Sequence, residues 1–202
     1  MKTIPRWVLS VILPAALIAQ PALGFDYPLS SSAIREAYFL GSGDPHKRTE
    51  FFEKYTRHYP VPKSGQYISS IKFETPLAVI VERVSHELSN YFAQDAVREY
   101  LGKPAICRIR VEIYFGHPPS GQSTRFQTNY TVRLKQHGNE ISAKSQWTEN
   151  IVSAISAPTV DGINLGSEYD ADKIEPGSPA TVEIATPSGA TISETFDLAA
   201  LR

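Results

Sequence analysis

The sequence is poor in cysteine and in metal-binding patterns. Cys107 is the one cysteine among 202 residues, so the chain can form no internal disulfide bond. The five histidines include no pair at zinc-site spacing: His86-Glu87 begins like the HExxH motif, but Asn occupies position 90. These absences exclude a disulfide-stapled fold and a zinc protease of that type, and we expect no cofactor and no metal site.

The sequence also lacks a strong excess of charge of either sign. The formal net charge is -1 and 20% of the residues are charged. This balance indicates neither nucleic-acid binding nor intrinsic disorder. There is no Gly-x-Ser-x-Gly motif and no phosphate-binding glycine loop. The sequence therefore names no catalytic residue, which favours a non-catalytic role but leaves the question of an enzyme open.

The longest apolar run lies at the N-terminus. Residues 7–18 form this run after a positive start at Lys2 and Arg6, and the small residues Ala22 and Gly24 follow it. This order is typical of a secretory signal peptide. The run has about a dozen residues, whereas a bilayer span needs roughly 20. We therefore predict a signal peptide over residues 1–24, rather than a membrane anchor.

Cleavage after Gly24 would release a mature chain of residues 25–202. That chain would carry 18 basic and 21 acidic side chains, because only Lys2 and Arg6 among the 20 basic residues lie in the leader. We predict that this product is secreted or periplasmic and has no transmembrane segment after cleavage.

Helical periodicity dominates residues 32–104. Apolar spacing and capping residues predict helices over 33–40, 45–57 and 93–101, together with a strand over 66–74. Residues 76–90 fit two structures. Leu77, Ile80, Val81, Val84 and Leu88 recur at helical spacing, whereas the β-branched run at 79–81 favours a strand.

Strand patterns dominate residues 105–198. Polar and apolar residues alternate strictly from Ile106 to Phe115, which predicts a half-buried strand with Cys107 on its apolar side. Further strands are predicted over 125–135, 141–147, 162–169, 181–186 and 191–198. We predict a single α+β domain, in which a helix-rich N-terminal half (32–104) packs on an antiparallel β-sheet or sandwich (105–198). The residues expected in its core are Cys107, Val111, Ile113, Phe115, Tyr130 and Val132.

The candidate binding surface follows from an assumed hairpin. Pairing Phe115 with Phe126 joins the strands over 106–115 and 125–135. This register gathers four basic side chains on one outward face: Arg108, Arg110, Arg133 and Lys135. The predicted partners are an anionic envelope polymer or another envelope protein. The alternative is an ordinary solvated face whose charge is neutralised by nearby acids.

The acidic loop over residues 168–175 leaves a second question open. Glu168, Asp170, Asp172 and Glu175 could supply oxygen ligands for calcium, but the spacing of a helix-loop-helix site is absent.

Together these features predict an exported, non-catalytic binding or assembly module. The alternatives are a secreted hydrolase whose site is not visible as a motif, and a purely structural envelope protein. A deep cleft with two or more converging ionisable groups would favour the hydrolase.

Overall fold

The computed structural model describes residues 24–87, 90–116, 128–153 and 159–201, and in these ranges it has four α-helices and nine β-strands. The helices are α1 (Ser31–Ser42), α2 (Pro45–Glu53), α3 (Pro76–His86) and α4 (Ala93–Tyr100). The strands are β1 (Thr56–His58), β2 (Gln66–Glu74), β3 (Ile106–Phe115), β4 (Thr131–Gln136), β5 (Asn139–Ile141), β6 (Ser145–Ser153), β7 (Thr159–Asp170), β8 (Ala180–Ala185) and β9 (Thr191–Phe196).

Helix α3 settles which of the two structures residues 76–86 adopt. The Thr75 side chain accepts a hydrogen bond from the backbone N–H of Ala78, and Pro76 occupies the first turn, where a missing N–H costs nothing. These start signals and the apolar stripe outweigh the β-branched run at 79–81. Residue 88 lies outside the described ranges. The second predicted helix is shorter than expected, because it ends at Glu53 and is followed by strand β1.

The strands form two antiparallel sheets. The large sheet has the order β1-β2-β3-β7-β6, and the small sheet has the order β5-β4-β8-β9. Helices lie mostly in the N-terminal half and strands mostly in the C-terminal half, so the predicted α+β class is confirmed. Strands β1 and β2 are the exceptions, since the N-terminal half supplies them to the large sheet. The proposed division into residues 1–24 and 25–202 stays a prediction.

The main hydrophobic core lies between the two sheets. Cys107, Val111 and Ile113 are fully buried on the inner face of β3, and Val132 of β4 is 6% exposed on the facing sheet. Phe115 and Tyr130 are only partly buried, so their predicted burial is confirmed in part. Burial also raises the pKa of the Cys107 thiol, which keeps it protonated and unreactive. Each fully buried aliphatic side chain contributes about 1.5–3 kcal/mol relative to an exposed one.

A second cluster holds the helices together. Buried residues of α1 and α3 pack against one another, and Ala96 of α4 joins them. Ala78 of α3 instead belongs to the core between the sheets. Helix α3 therefore contributes to both hydrophobic clusters, and its polar edge covers one end of the outer face of the large sheet.

The start of the described chain belongs to the core. Phe25 is 2% exposed and packs in the cluster between the sheets, directly after the predicted cleavage point. Within the described ranges, no helix combines the length and the apolar character that a bilayer crossing requires.

Candidate functional site

The predicted hairpin between β3 and β4 is wrong. Strand β3 pairs with β2 on one side and β7 on the other, while β4 pairs with β5 and β8 in the small sheet. Arg108 therefore lies opposite Glu74 and Glu168, and not opposite Arg133. Opposite charges across strands stabilise a sheet, whereas the predicted pairing would have set like charges against each other.

The four predicted binding residues consequently do not share a surface. Arg108 and Arg110 lie on the outer face of the large sheet, beneath α3, whereas Arg133 and Lys135 belong to the small sheet. Lys135 Nζ lies 2.8 Å from Glu183 Oε2, and Arg133 is the cross-strand neighbour of the same glutamate. The clustering that suggested a basic patch is thus incorrect. Whether each residue contacts a ligand stays a prediction.

The outer face of the large sheet instead carries alternating charges. Arg108 Nη2 donates a hydrogen bond to Glu168 Oε1 at 3.0 Å, and its Nη1 lies 3.6 Å from Glu74 Oε2. Ser145 of β6 donates to the second carboxylate oxygen of Glu168 at 2.9 Å. Carboxylate, guanidinium, carboxylate and hydroxyl therefore follow one another across four strands, so donors and acceptors alternate along one row.

Glu74 is the buried centre of this network. It is 0% exposed at the end of β2, and three cations surround it: Lys72 Nζ at 3.4 Å, Arg108 Nη1 at 3.6 Å and Arg110 Nε at 3.8 Å. These contacts are ionic, and neither carboxyl oxygen has a hydrogen-bond partner among the described residues. Burial raises the pKa of Glu74 despite the opposing pull of the three cations, because removal from water disfavours the charged form.

Glu82 of α3 shares two of those cations but has the opposite shift. Burial acts to raise its pKa, yet Lys72, Arg110 and the hydrogen-bonded His86 together outweigh burial, and the pKa of Glu82 is lowered. Arg110 Nη1 donates to Glu82 Oε1 at 3.3 Å. His86 Nε2, one turn further along α3, lies 3.4 Å from the same oxygen. Glu82 therefore links the helix to the sheet and orients an exposed imidazole.

Trp147 forms an aromatic surface beside these charges. It is the cross-strand neighbour of Gly166, and a Cβ placed on that glycine would lie 2.0 Å from atoms of the indole ring. The ring can lie over the strand only because position 166 has no side chain. The guanidinium of Arg108 stands 5.5 Å from the centre of the ring, within the range of a cation–π contact.

The space between α3, α4 and this face is an open cleft of about 580 Å³. Helix α3 supplies Glu82 and His86, helix α4 supplies Tyr100, and the sheet forms the floor. Its remaining lining residues are Val79, Arg83, Glu99, Ile106, Arg108, Arg110, Trp147, Glu149 and Glu168. Burial and the nearby Glu99 raise the pKa of Tyr100 to about 12, so its hydroxyl remains a donor at neutral pH. The cleft therefore combines donors, acceptors and an aromatic ring.

Carboxylates of the acidic loop over residues 168–175 pair with separate basic side chains. Asp170 contacts Lys144 at 3.2 Å and Lys173 at 2.9 Å, while Glu175 contacts His137 at 2.6 Å. Within the part of the chain that the structure describes, no three Asp, Glu, His or Cys side chains converge on a metal-sized space. Asp170 and Glu175 therefore form ion pairs with neighbouring basic side chains.

Sequence reasoning could not bring three important residues of this site together. Glu74 and Glu82 were available as carboxylates of separate segments that no local pattern makes converge, and Trp147 was visible only as the end of a strand predicted over 141–147. Their convergence depends on β2, α3 and β6 meeting around β3. The one local signal was Gly166 in the middle of strand β7, since a strand-interior glycine often marks a close approach.

Comparisons with known proteins do not identify a family. No family model matches the sequence, and no curated protein is significantly similar to it. Five chains of known structure match. One of them is IgNAR antibody domain C1, at 12% identity and a TM-score of 0.33, covering 70% of this chain and 99% of that one. A TM-score of this size gives no information about function.

Proposed function

We propose that this protein is an exported, non-catalytic binding module that takes a hydroxyl-rich ligand, a saccharide, in the cleft beneath α3. The observation that carries the proposal is the Trp147 ring lying over Gly166 beside Arg108, on the floor of the cleft. Export rests on the sequence alone, through the charged start, the apolar run and the small residues at 22 and 24.

The cleft offers both partners that a hydroxyl group requires. A hydroxyl donates one hydrogen bond and accepts others, so it suits a surface where guanidinium donors alternate with carboxylate acceptors. Arg108 and Glu168 supply that alternation directly beside the ring. A flat aromatic face adds apolar contact for the carbon skeleton of a sugar, and binding sites commonly combine such a face with a few polar groups.

The charge balance favours neutral saccharides over the anionic polymer that the sequence suggested. Lys72, Arg108 and Arg110 each lie within 4.0 Å of a carboxylate oxygen of Glu74, Glu82 or Glu168. A polyanion would have to compete with these carboxylates for every cation. We therefore expect trigalacturonate to bind no more tightly than maltotriose.

The test is a calorimetric titration of the mature chain with maltotriose and with trigalacturonate. Trp147→Ala should weaken binding about tenfold or more, since loss of an aromatic contact of roughly 1.4 kcal/mol corresponds to that factor. The matched control is Arg133→Ser combined with Lys135→Ser, which removes two basic residues from the small sheet and should leave affinity unchanged. Equal affinity of the Trp147→Ala variant and the wild type would contradict the proposal.

A secreted hydrolase remains a second candidate, because the cleft does hold converging ionisable groups. The specific observation is His86 Nε2 at 3.4 Å from Glu82 Oε1, an arrangement that could orient a general base. Against it, Glu74, the carboxyl with the raised pKa, is fully buried and cannot reach a substrate. Release of new reducing ends from oligosaccharides, abolished by His86→Gln, would favour the hydrolase.

A further inference from the structure

The charged cleft continues into a second cavity of different character. An apolar groove of about 270 Å³ lies beside it, and Val79, Glu99, Tyr100 and Ile106 line both. The rest of the groove is formed by Pro28, Leu29, Pro76, Gly102, Lys103, Pro104 and Ala105. The groove therefore adjoins the cleft at Tyr100 and the other shared residues.

The character of the lining changes sharply at this junction. Apart from the shared residues, the groove is lined by three prolines, a leucine, an alanine and a glycine, with Lys103 as the charged exception, whereas the cleft offers guanidinium and carboxylate groups. A ligand that fills both must be polar at one end and apolar at the other. Burying an unpaired polar group in the groove would cost free energy, while burying methylene groups gains it.

We infer that the ligand is an amphiphile, with a saccharide head in the cleft and a single aliphatic chain in the groove. The inference rests on the proposed function, because it takes the saccharide site in the cleft as given. It adds the chemical class of the complete ligand, which is a glycolipid-like molecule and not a free polysaccharide.

The backbone of the groove favours an aliphatic chain over a peptide. Pro28, Pro76 and Pro104 have no backbone N–H, so these positions offer no donor to the carbonyl groups of an extended peptide. A peptide backbone buried there would leave polar groups without partners, which costs stability. A hydrocarbon chain has no such requirement.

The experiment is a binding series with maltose and n-alkyl maltosides from butyl to octyl, each below its micelle-forming concentration. Trp7 and Trp147 are the two tryptophans of the sequence, so in a chain beginning at Phe25 the intrinsic fluorescence reports Trp147 in the cleft. We expect affinity to rise about fourfold for each methylene group that enters the groove, the factor equivalent to roughly 0.8 kcal/mol. The rise should stop when the groove is full.

Two variants separate the groove from the cleft. Pro104 is exposed, and it lines the groove but not the cleft. Pro104→Asp should therefore abolish the dependence of affinity on alkyl chain length while leaving maltose affinity unchanged. Trp147→Ala, followed by calorimetry, should weaken maltose and all the alkyl maltosides by the same factor.

The outcomes distinguish the inference from the function on which it rests. Equal affinity for maltose and octyl maltoside would overturn the inference of an amphiphilic ligand, while the proposal of saccharide binding would stand. Absence of binding to maltose and to every alkyl maltoside would count against both. A chain-length dependence that persists in Pro104→Asp would also overturn it.

Discussion

Arg108 and Arg110 illustrate how a residue's face and its environment are separate questions. The alternation of β3 predicts that the two arginines lie on the face of the sheet away from Cys107 and Val111, and this assignment is correct. Their environment is not bulk water, however, because the side chains are only 17% and 28% exposed and each contacts two carboxylates. They act first as partners of Glu74, Glu82 and Glu168, and only their remaining surface is available to a ligand.

Glu74 gives a pH-dependent prediction at this scale. Burial raises its pKa, so the folded protein holds this proton more tightly than the unfolded chain. The wild type should therefore lose stability as pH rises from the ordinary value of 4.5 through the higher folded pKa. Glu74→Gln cannot titrate, so the free energy of unfolding of the wild type should fall relative to this variant over that interval. Urea unfolding at a series of pH values measures the difference.

The matched control is Glu82→Gln, because the pKa of Glu82 is lowered in the folded protein. Its contribution to stability is present above 4.5 and is lost as pH falls through the folded pKa, which is the opposite slope. If both variants differ from the wild type with the same slope, the assignment of the two shifts is incorrect.

At the scale of elements, strand faces followed from the sequence but strand partners did not. The bounds of β2 and β3 agree with the predicted ranges 66–74 and 106–115, since local alternation defines both strands. The assumed hairpin partner for β3 was incorrect, and part of its second strand, together with residues 117–127, lies outside the described ranges. Alternation is compatible with any neighbour whose apolar residues share the same period, so it cannot select between β4 and β7.

Gly166 provides the prediction that tests the pairing of β6 with β7. A methyl group at this position would meet the Trp147 ring, so Gly166→Ala should destabilise the protein by about 1–3 kcal/mol, as overpacking usually does. It should also shift the emission of Trp147 to longer wavelength as the ring moves toward water. Chemical unfolding and fluorescence measure both effects.

Gly177→Ala is the control for that prediction, because nothing lies within 4 Å of the added Cβ. This variant should unfold with unchanged or slightly higher stability, since alanine reduces the entropy of the unfolded chain. Equal destabilisation by the two substitutions would show that the indole ring does not lie over residue 166.

At the scale of the whole molecule, the layers position the cleft. The helix cluster covers only one end of the large sheet, and the open space between α3 and the polar outer face becomes the candidate site. The small sheet covers the other face and completes the core, so the large sheet has one apolar and one polar side. The alternation of apolar and polar residues in β3 reflects this arrangement. The polar side chains of the strand face the cleft as well as solvent.

Export is the prediction for the whole chain. Expression of the full-length sequence in a bacterial host should yield an exported product whose N-terminus is Phe25. This end point keeps a side chain that is 2% exposed in the core. N-terminal sequencing or intact-mass measurement of the exported fraction gives the result. Recovery of the chain in the membrane fraction, still starting at Met1, would contradict the signal peptide.

The sequence by itself determined most of the helices and strands, the faces of the main strands and the α+β class, because caps, periodicity and turn residues act over a few positions. Tertiary structure alone decided which strands pair and which side chains meet. Arg108 and Glu168 are 60 positions apart, and Gly166 and Trp147 come from separate strands. Such contacts depend on how whole layers pack, and no local pattern encodes the partner. The cleft therefore became visible only when β2, α3, β6 and β7 were placed around β3.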